Sequence, residues 1–166
     1  MPVRRLSLVA GTALLLASGV GLTACGGGTS AAVEEQIKNE TGQDADVDVD
    51  DGTITASQDG TSVTIGEDAT LPADWPDLPT PDGGQVISST SSDKNGKTIQ
   101  IVTFKVDGDA AAAAKSLADK IQAAGYSLDG SAVTGAQATY GLSNDTYEIV
   151  ILTLVETVTM TVEEKA

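Results

Sequence analysis

The only cysteine of the chain, Cys25, is the residue whose chemistry the sequence specifies most closely. It follows the small residues Thr23-Ala24, which end an apolar segment that begins behind Arg4-Arg5. A basic start, an apolar middle shorter than the roughly 20 residues that span a bilayer, and a small-residue cleavage point are the parts of a secretory signal peptide. We therefore expect residues 1–24 to be a leader that is removed, leaving Cys25 at the start of the mature chain.

The order Leu22-Thr23-Ala24-Cys25 resembles the lipobox of bacterial lipoproteins, in which the cysteine sulfur is acylated. Two acyl chains make a stable anchor, whereas one chain binds only marginally. The glycines that follow predict a flexible tether over residues 25–31. We expect the protein to be lipid-anchored through Cys25 on the extracytoplasmic face of the cell membrane. The alternatives are an ordinary signal peptide or a buried Cys25, and Arg4-Arg5 leaves twin-arginine export open beside the general secretory route.

Alternating aspartates form the second group of residues with chemical potential. Asp46, Asp48 and Asp50 offer carboxylates, which calcium prefers. The loop pattern D-x-D-x-D-G with a glutamate at position twelve is not met, because position six is Asp51 and position twelve is Ser57. On a strand, alternating side chains share one face. We therefore favour a solvated strand face and no metal site, with Asp46, Asp48 and Asp50 as the candidates for a weak calcium site.

Catalytic groups are scarce in this composition. The spacing from Ser91 to Lys94 matches S-x-x-K, but the catalytic version opens a helix, whereas Asn95-Gly96 predicts a hairpin here. The chain has no histidine, the usual general base near neutral pH. One cysteine and no histidine exclude a disulfide within the chain and a zinc site built on those residues. We predict no catalytic residue, no cofactor and no enzyme activity.

Charge limits the partners. The chain has 24 acidic and nine basic residues, and both arginines fall in the expected leader. Seven lysines against 24 acids give the mature chain a formal charge of −17. Nucleic-acid binding and attraction to anionic lipid headgroups both need basic clusters, so we exclude them. The predicted partners are the membrane, through the lipid on Cys25, and a protein or small molecule that the sequence does not identify.

The first half of the mature chain predicts a short helix and a meander. Val33 and Ile37 give an amphipathic pattern that ends at Gly42. Asp51-Gly52 and Asp59-Gly60 are turn signals between alternating segments, so residues 32–68 are interpreted as a helix followed by three strands. Four prolines over residues 69–84 then predict an extended strap, because each proline fixes its own φ and disfavours helix before it. Its apolar residues are expected to pin it to the core, namely Leu71, Trp75 and Leu78.

The second half, residues 85–166, predicts a ββαβββ unit that packs with residues 32–68 as one domain. Its helix is expected over residues 110–124, with an aspartate of Asp107-Gly108-Asp109 as the N-cap and Gly125 as the stop. The other expected elements are strands from Val86 and over 98–106, 132–142, 147–155 and 157–162, with 147–155 buried on both faces. The predicted fold class is α+β: an antiparallel sheet packed against one main helix, preceded by a short helix and a three-stranded meander.

These features together resemble uncharacterised actinobacterial secreted lipoproteins. The residues that carry the resemblance are Cys25, Thr41-Gly42, Trp75-Pro76, Pro79 and Ala124-Gly125-Tyr126. The resemblance covers most of the mature chain and implies acylation at Cys25. It implies no catalytic residue.

Three hypotheses for function follow. The first is a membrane-anchored envelope lipoprotein whose acidic domain binds a partner or ligand without catalysis. The second is a hydrolase that uses carboxylates, and the third is a weak calcium-binding module. A cavity with two converging carboxylates would favour the hydrolase, whereas a flat or groove-like apolar surface would favour the binding protein.

Overall fold

The computed structural model describes residues 34, 35, 38, 46–50, 52–94 and 96–165. The predicted leader, the tether, Cys25 and most of the predicted first helix lie outside these residues, although Glu34, Glu35 and Lys38 are helical. Within the described part of the chain, no helix is long and apolar enough to cross a membrane.

Nine strands form one antiparallel sheet, and a 14-residue helix lies between the fifth and sixth strands of the chain. The elements are β1 (Asp46–Asp50), β2 (Thr53–Gln58), β3 (Thr61–Ile65), β4 (Gln85–Lys94), β5 (Lys97–Lys105), α1 (Ala110–Ala123), β6 (Ser127–Thr134), β7 (Gln137–Ser143), β8 (Tyr147–Leu154) and β9 (Thr157–Glu164). Their order in the sheet is β1-β2-β3-β4-β5-β9-β8-β7-β6. The last strand therefore lies near the middle of the sheet, between β5 and β8.

The predicted α+β class, with a separate short helix and meander, is wrong. Among the described residues the fold is β-rich, with 54% in strands and 14% in helices. Strands β1–β3 do not pack as a layer on the rest; β3 pairs with β4 from Thr61↔Ser92 to Ile65↔Ser88 and extends the same sheet. The physical reason lies in the side chains of β2–β4, which are mostly serine and threonine. They offer too little apolar surface for a second layer, but their backbones pair as well as any others.

The predicted strand over residues 132–142 is also wrong, because two strands occupy this region. Gly135-Ala136 separates β6 from β7, and Gly135 has φ 60°, as the first position of a two-residue hairpin loop with glycine allows. Four strands therefore follow the helix instead of three. Strand β8 is not buried on both faces: Ile149, Ile151 and Thr153 are buried, and the residues between them are half-buried.

Helix α1 begins and ends close to the predicted positions. The Asp109 Oδ1 accepts hydrogen bonds from the backbone N–H groups of Ala111 and Ala112, at 2.9 and 3.2 Å. After the helix, Gly125 takes φ 98°. One face of α1 packs on β7, β8 and β9, and the alanines let it lie close to the sheet. The buried residues of α1 are Ala110, Ala114, Leu117, Ala118 and Ile121.

The strap over residues 69–84 lies on the same side of the sheet as α1. Leu78 belongs to the core, and Leu71 and Trp75 pack against it, as predicted. The Lys120 Nζ donates to the Asp82 Oδ1 at 2.5 Å, which ties the end of the strap to the helix. Helix and strap together cover one face of the sheet only, and we call this face the inner face.

Candidate functional site

The inner face has two chemically different halves. Directly opposed residues in paired strands lie on the same face, so the register identifies the inward positions. On β5 and β7–β9 these positions are mainly apolar and nearly inaccessible: Val102, Phe104, Leu142, Ile149, Ile151, Val158, Met160 and Val162. On β2–β4 they carry hydroxyl groups: Thr55, Ser57, Ser62, Thr64, Ser89 and Ser91. We call this second set the hydroxyl floor.

An open cavity of about 900 Å³ lies above the hydroxyl floor. Part of its wall is the start of the strap, from Thr70 to Asp74. The floor residues that line it are Ser57, Ser62, Thr64, Ser89 and Ser91. Such a volume falls within the roughly 300–1,000 Å³ of small-molecule sites, but those sites are mostly apolar. This cavity therefore suits a ligand that replaces water by hydrogen bonding rather than by apolar contact.

Among the described residues that line the cavity, five carry carboxylates and none is a lysine. The carboxylates belong to Glu34, Asp46, Asp59, Asp74 and Asp93, and all except Glu34 are exposed. Carboxylates accept hydrogen bonds and repel anions, whereas hydroxyls both donate and accept. The ligands that fit are therefore neutral or cationic and carry several hydrogen-bond donors.

Tight turns bring these acidic groups to the rim. Asp59 and Gly60 take φ 47° and 75°, the left-handed pair of a type I′ hairpin, which the Asp-Gly signal predicts. The Asp93 N–H donates to the Gly60 carbonyl at 3.0 Å, which holds this turn against β4. The Asp93 Oδ1 accepts from the Thr98 hydroxyl at 2.6 Å. At the other side, the Glu34 Oε1 accepts from the Val47 N–H at 3.1 Å.

A smaller cavity of about 180 Å³ shares Asp74 with the first and lies under the strap. Gln100 lines it and is only 3% exposed, and its Nε2 has no acceptor among the described residues. The Gln58 Nε2 and the Trp75 Nε1 are also buried without a described partner. Each such donor costs about 1–3 kcal/mol. Gln58 lines the larger cavity and Gln100 the smaller one, so each cavity has a buried donor without a described partner.

The calcium candidates do not converge. Asp46, Asp48 and Asp50 are exposed on one face of β1, and only Asp46 lines the cavity. Residues two apart on a strand are separated by about 6.7 Å, too far for their carboxylates to meet around one ion at about 2.4 Å without rearrangement. The described residues contain no group of three or more acidic, histidine or cysteine side chains that could hold a metal ion.

The S-x-x-K serine lies on a strand. Ser91 is in the middle of β4 and belongs to the hydroxyl floor, so it does not open a helix as the catalytic motif requires. The side chain of Lys94 and all of Asn95 lie outside the described residues. Cys25, the predicted lipidation site, also lies outside them.

The hydroxyl floor was missed by the sequence reading, although a signal for it exists. Hydroxyl residues recur at every second position in Thr53-x-Thr55-x-Ser57, Ser62-x-Thr64 and Ser89-x-Ser91. Side chains of one type that recur every two residues indicate one face of a strand. Serine and threonine are also common in loops, so the pattern alone does not predict a binding surface. The surface is evident only from the register, which places the three strands side by side.

Comparison of the chain with protein-family models, with curated proteins and with solved structures finds no match. The function proposed below therefore depends on the residues and the geometry of this chain.

Proposed function

We propose that this protein is a bacterial lipoprotein, anchored through Cys25 on the extracytoplasmic face of the cell membrane, whose domain binds a hydroxyl-rich ligand in the cavity above the hydroxyl floor. The observation that carries the binding role is the cavity itself. Serine and threonine side chains from three adjacent strands form a polar concave surface beside a well-packed apolar core.

The chemistry of the lining favours carbohydrate-like ligands. A sugar hydroxyl donates one hydrogen bond and accepts others, so it pairs both with the floor hydroxyls and with the rim carboxylates. An anionic ligand meets five carboxylates and no lysine among the lining residues. Within the floor, the hydroxyls of Thr55 and Thr64, and those of Ser57 and Ser62, lie 3.5 Å apart. An apolar ligand would displace water from the remaining floor hydroxyls, such as that of Ser91, without replacing its hydrogen bonds, which costs about 1–3 kcal/mol for each buried group.

The role is proposed as binding without catalysis. A carboxylic acid that acts as a general acid near neutral pH depends on burial, which disfavours its charged form. The four aspartates at the cavity are exposed, and the chain has no histidine to take the role of general base. The cavity therefore supplies hydrogen-bonding groups, and four of its five described carboxylates are exposed to water.

A carboxylate hydrolase is the second candidate, because the cavity gathers five carboxylates. Asp93 is the residue to test, since the Thr98 hydroxyl fixes the orientation of its carboxylate. Turnover of a glycoside by the full chain that disappears in Asp93→Asn, with binding retained, would establish the hydrolase and contradict the binding-only proposal.

Binding is tested by titrating the full chain with neutral oligosaccharides, with polyamines and with sugar phosphates. We expect the neutral sugars to bind, and Ser91→Val to weaken that binding at least tenfold because it removes a floor hydroxyl. Thr90→Val is the matched control, since the adjacent Thr90 points to the opposite face. Binding of polyamines alone would change the ligand class, and equal losses in both variants would contradict the site.

The anchor is tested with Cys25→Ser, which removes the sulfur that accepts the lipid and keeps a side chain of similar size. We expect the variant to leave the membrane fraction and to appear as uncleaved precursor or as soluble secreted protein. Fractionation of cells with a mass measurement of the chain decides this. A Ser variant that stays in the membrane fraction with its leader removed would show that the lipid is not the anchor.

A further inference from the structure

The small cavity under the strap adjoins the large one, and the sheet register shows where the two meet. Ser91 of β4 lines the large cavity, and Gln100, its directly opposed neighbour on β5, lines the small one. The next inward pair repeats this arrangement, with Asp93 at the large cavity and Thr98 at the small one. Directly opposed residues have Cβ atoms about 5 Å apart. Asp74 of the strap lines both cavities, so they are neighbouring parts of one surface with Asp74 at their boundary.

Gln100 is the buried polar residue of the small cavity. It is only 3% exposed, and its Nε2 group, a hydrogen-bond donor, has no acceptor among the described residues. Its neighbour on β9 is Val162, which belongs to the apolar core. A donor buried beside the core lowers stability unless it is paired. A molecule that fills the cavity and offers an oxygen atom to Gln100 would supply the missing partner.

The other lining residues indicate the chemistry of that molecule. The carboxylates of Asp74 and Glu164 accept hydrogen bonds and repel anions, whereas Val162 and the ring of Tyr147 offer apolar contact. A sugar ring suits both kinds of group, because it carries hydroxyls that donate and accept and C–H groups that pack on apolar surfaces. The cavity of about 180 Å³ far exceeds the roughly 10–15 Å³ that one ordered water needs.

We propose that the small cavity is a second subsite for the ligand of the large one, so that the protein binds an oligomer of a neutral, hydroxyl-bearing unit. This inference rests on the proposed ligand site above the hydroxyl floor and specifies the length of the ligand. One unit lies on the hydroxyl floor, and the next passes Asp74 and accepts a hydrogen bond from the Gln100 Nε2. The step between the two subsites is short, because β4 and β5 are adjacent strands about 4.8 Å apart.

The experiment is a calorimetric titration of the full chain with glucose and with its linear α-1,4- and β-1,4-linked oligomers of up to about six units. We expect the affinity to rise at least about tenfold from glucose to the longer oligomers, because the second unit binds as part of a molecule that is already held. Gln100→Leu removes the donor at similar size and is expected to abolish most of this rise, with little change for glucose. Gln137→Leu is the matched control, since Gln137 is exposed on β7 and lines neither cavity.

Thermal melting without ligand separates a ligand contact from a structural role. We expect Gln100→Leu to melt at an unchanged or higher temperature, because it removes a buried donor that lacks a partner in the described part of the chain. If this variant unfolds, Glu164→Gln replaces it, because Glu164 lines only the small cavity.

The outcomes distinguish this subsite from the site it extends. Equal affinity for glucose and its oligomers would overturn the second subsite and leave the large cavity as the ligand site. So would a rise with length that Gln100→Leu retains, or that Gln137→Leu removes equally. No binding at any length would contradict the proposed function itself, and the subsite with it.

Discussion

The inner face of one sheet is apolar beneath α1 and hydroxyl-bearing beneath the start of the strap. The backbone pairing is continuous from β1 to β6 across the sheet, so the difference lies in the side chains alone. Beneath α1, inward residues such as Ile149 and Met160 have no accessible surface. On β2–β4 the same inward positions belong to residues such as Ser62 and Ser91, and a cavity lies above them.

This contrast separates two roles within one sheet. Burial of apolar side chains stabilises the fold, and it requires a covering helix. Hydroxyl side chains gain little from being covered, because each would need a partner. We therefore expect residues of the helix-covered half to determine the stability of the fold and residues of the hydroxyl floor to determine what binds. Changes in the helix-covered half should affect binding little, and changes in the hydroxyl floor should affect stability little.

The largest expected effect is in the helix-covered half. Ile151→Ala removes a fully buried side chain and is expected to lower the free energy of unfolding by about 2–5 kcal/mol. Ser91→Ala, at an inward position of the cavity, is expected to change it by less than about 1 kcal/mol. Urea unfolding of both variants measures the difference. Similar losses at the two positions would contradict the division of roles.

The N-cap of α1 gives the next effect. Asp109→Ala removes the acceptor of two backbone hydrogen bonds and is expected to lower the free energy of unfolding by about 1 kcal/mol. Asp107→Ala changes the charge equally two residues earlier and is expected to have little effect, because Asp107 is exposed and lies outside the helix. Thermal melting compares the two variants. Equal shifts would mean that charge, and not capping, is what Asp109 contributes.

The smallest effect concerns pH. Burial raises the pKa of Tyr126, with the nearby Tyr147 adding to the rise and a hydrogen bond with Asn144 opposing it. The folded state therefore holds this proton more tightly than the unfolded state, whose tyrosine titrates near 10. Its contribution to stability is present below pH 10 and is lost as the pH rises above that value. Tyr126→Phe should flatten the fall in melting temperature between pH 9.5 and 11, and an unchanged profile would contradict this assignment.

The sequence predicts the covered half better than the uncovered one, for a physical reason. Helix α1 carries strong local signals, namely a capping aspartate, a 3.6-residue apolar period and a terminal glycine. The turn at Asp59-Gly60 also has a local signal, although it lies in the uncovered half. The fold class was wrong because it depends on which strands pair. The Asn95-Gly96 turn indicates that β4 pairs with β5, but Ser/Thr-rich β4 gives little sign that its other edge pairs with β3.

The candidate site was less predictable than the helix. From the sequence, Asp46 was weighed for calcium binding and Ser91 for acyl transfer, and neither role was favoured; both residues line the cavity. The cavity depends on long-range register, such as Ser62 opposite Ser91, which no local pattern specifies. The residue types show which polar groups the chain has. Which of these groups lie together is determined by the pairing of strands that are distant in the sequence.

The most direct test of the central claim is NMR mapping of backbone amides of the full chain during titration with a neutral oligosaccharide. We expect shifts that saturate at β2–β4 and the start of the strap, including Ser62, Ser91 and Asp74, with little change under α1. Saturating shifts confined to the face of the sheet opposite α1 and the strap, or to the residues beneath α1, would contradict a ligand site on the hydroxyl floor.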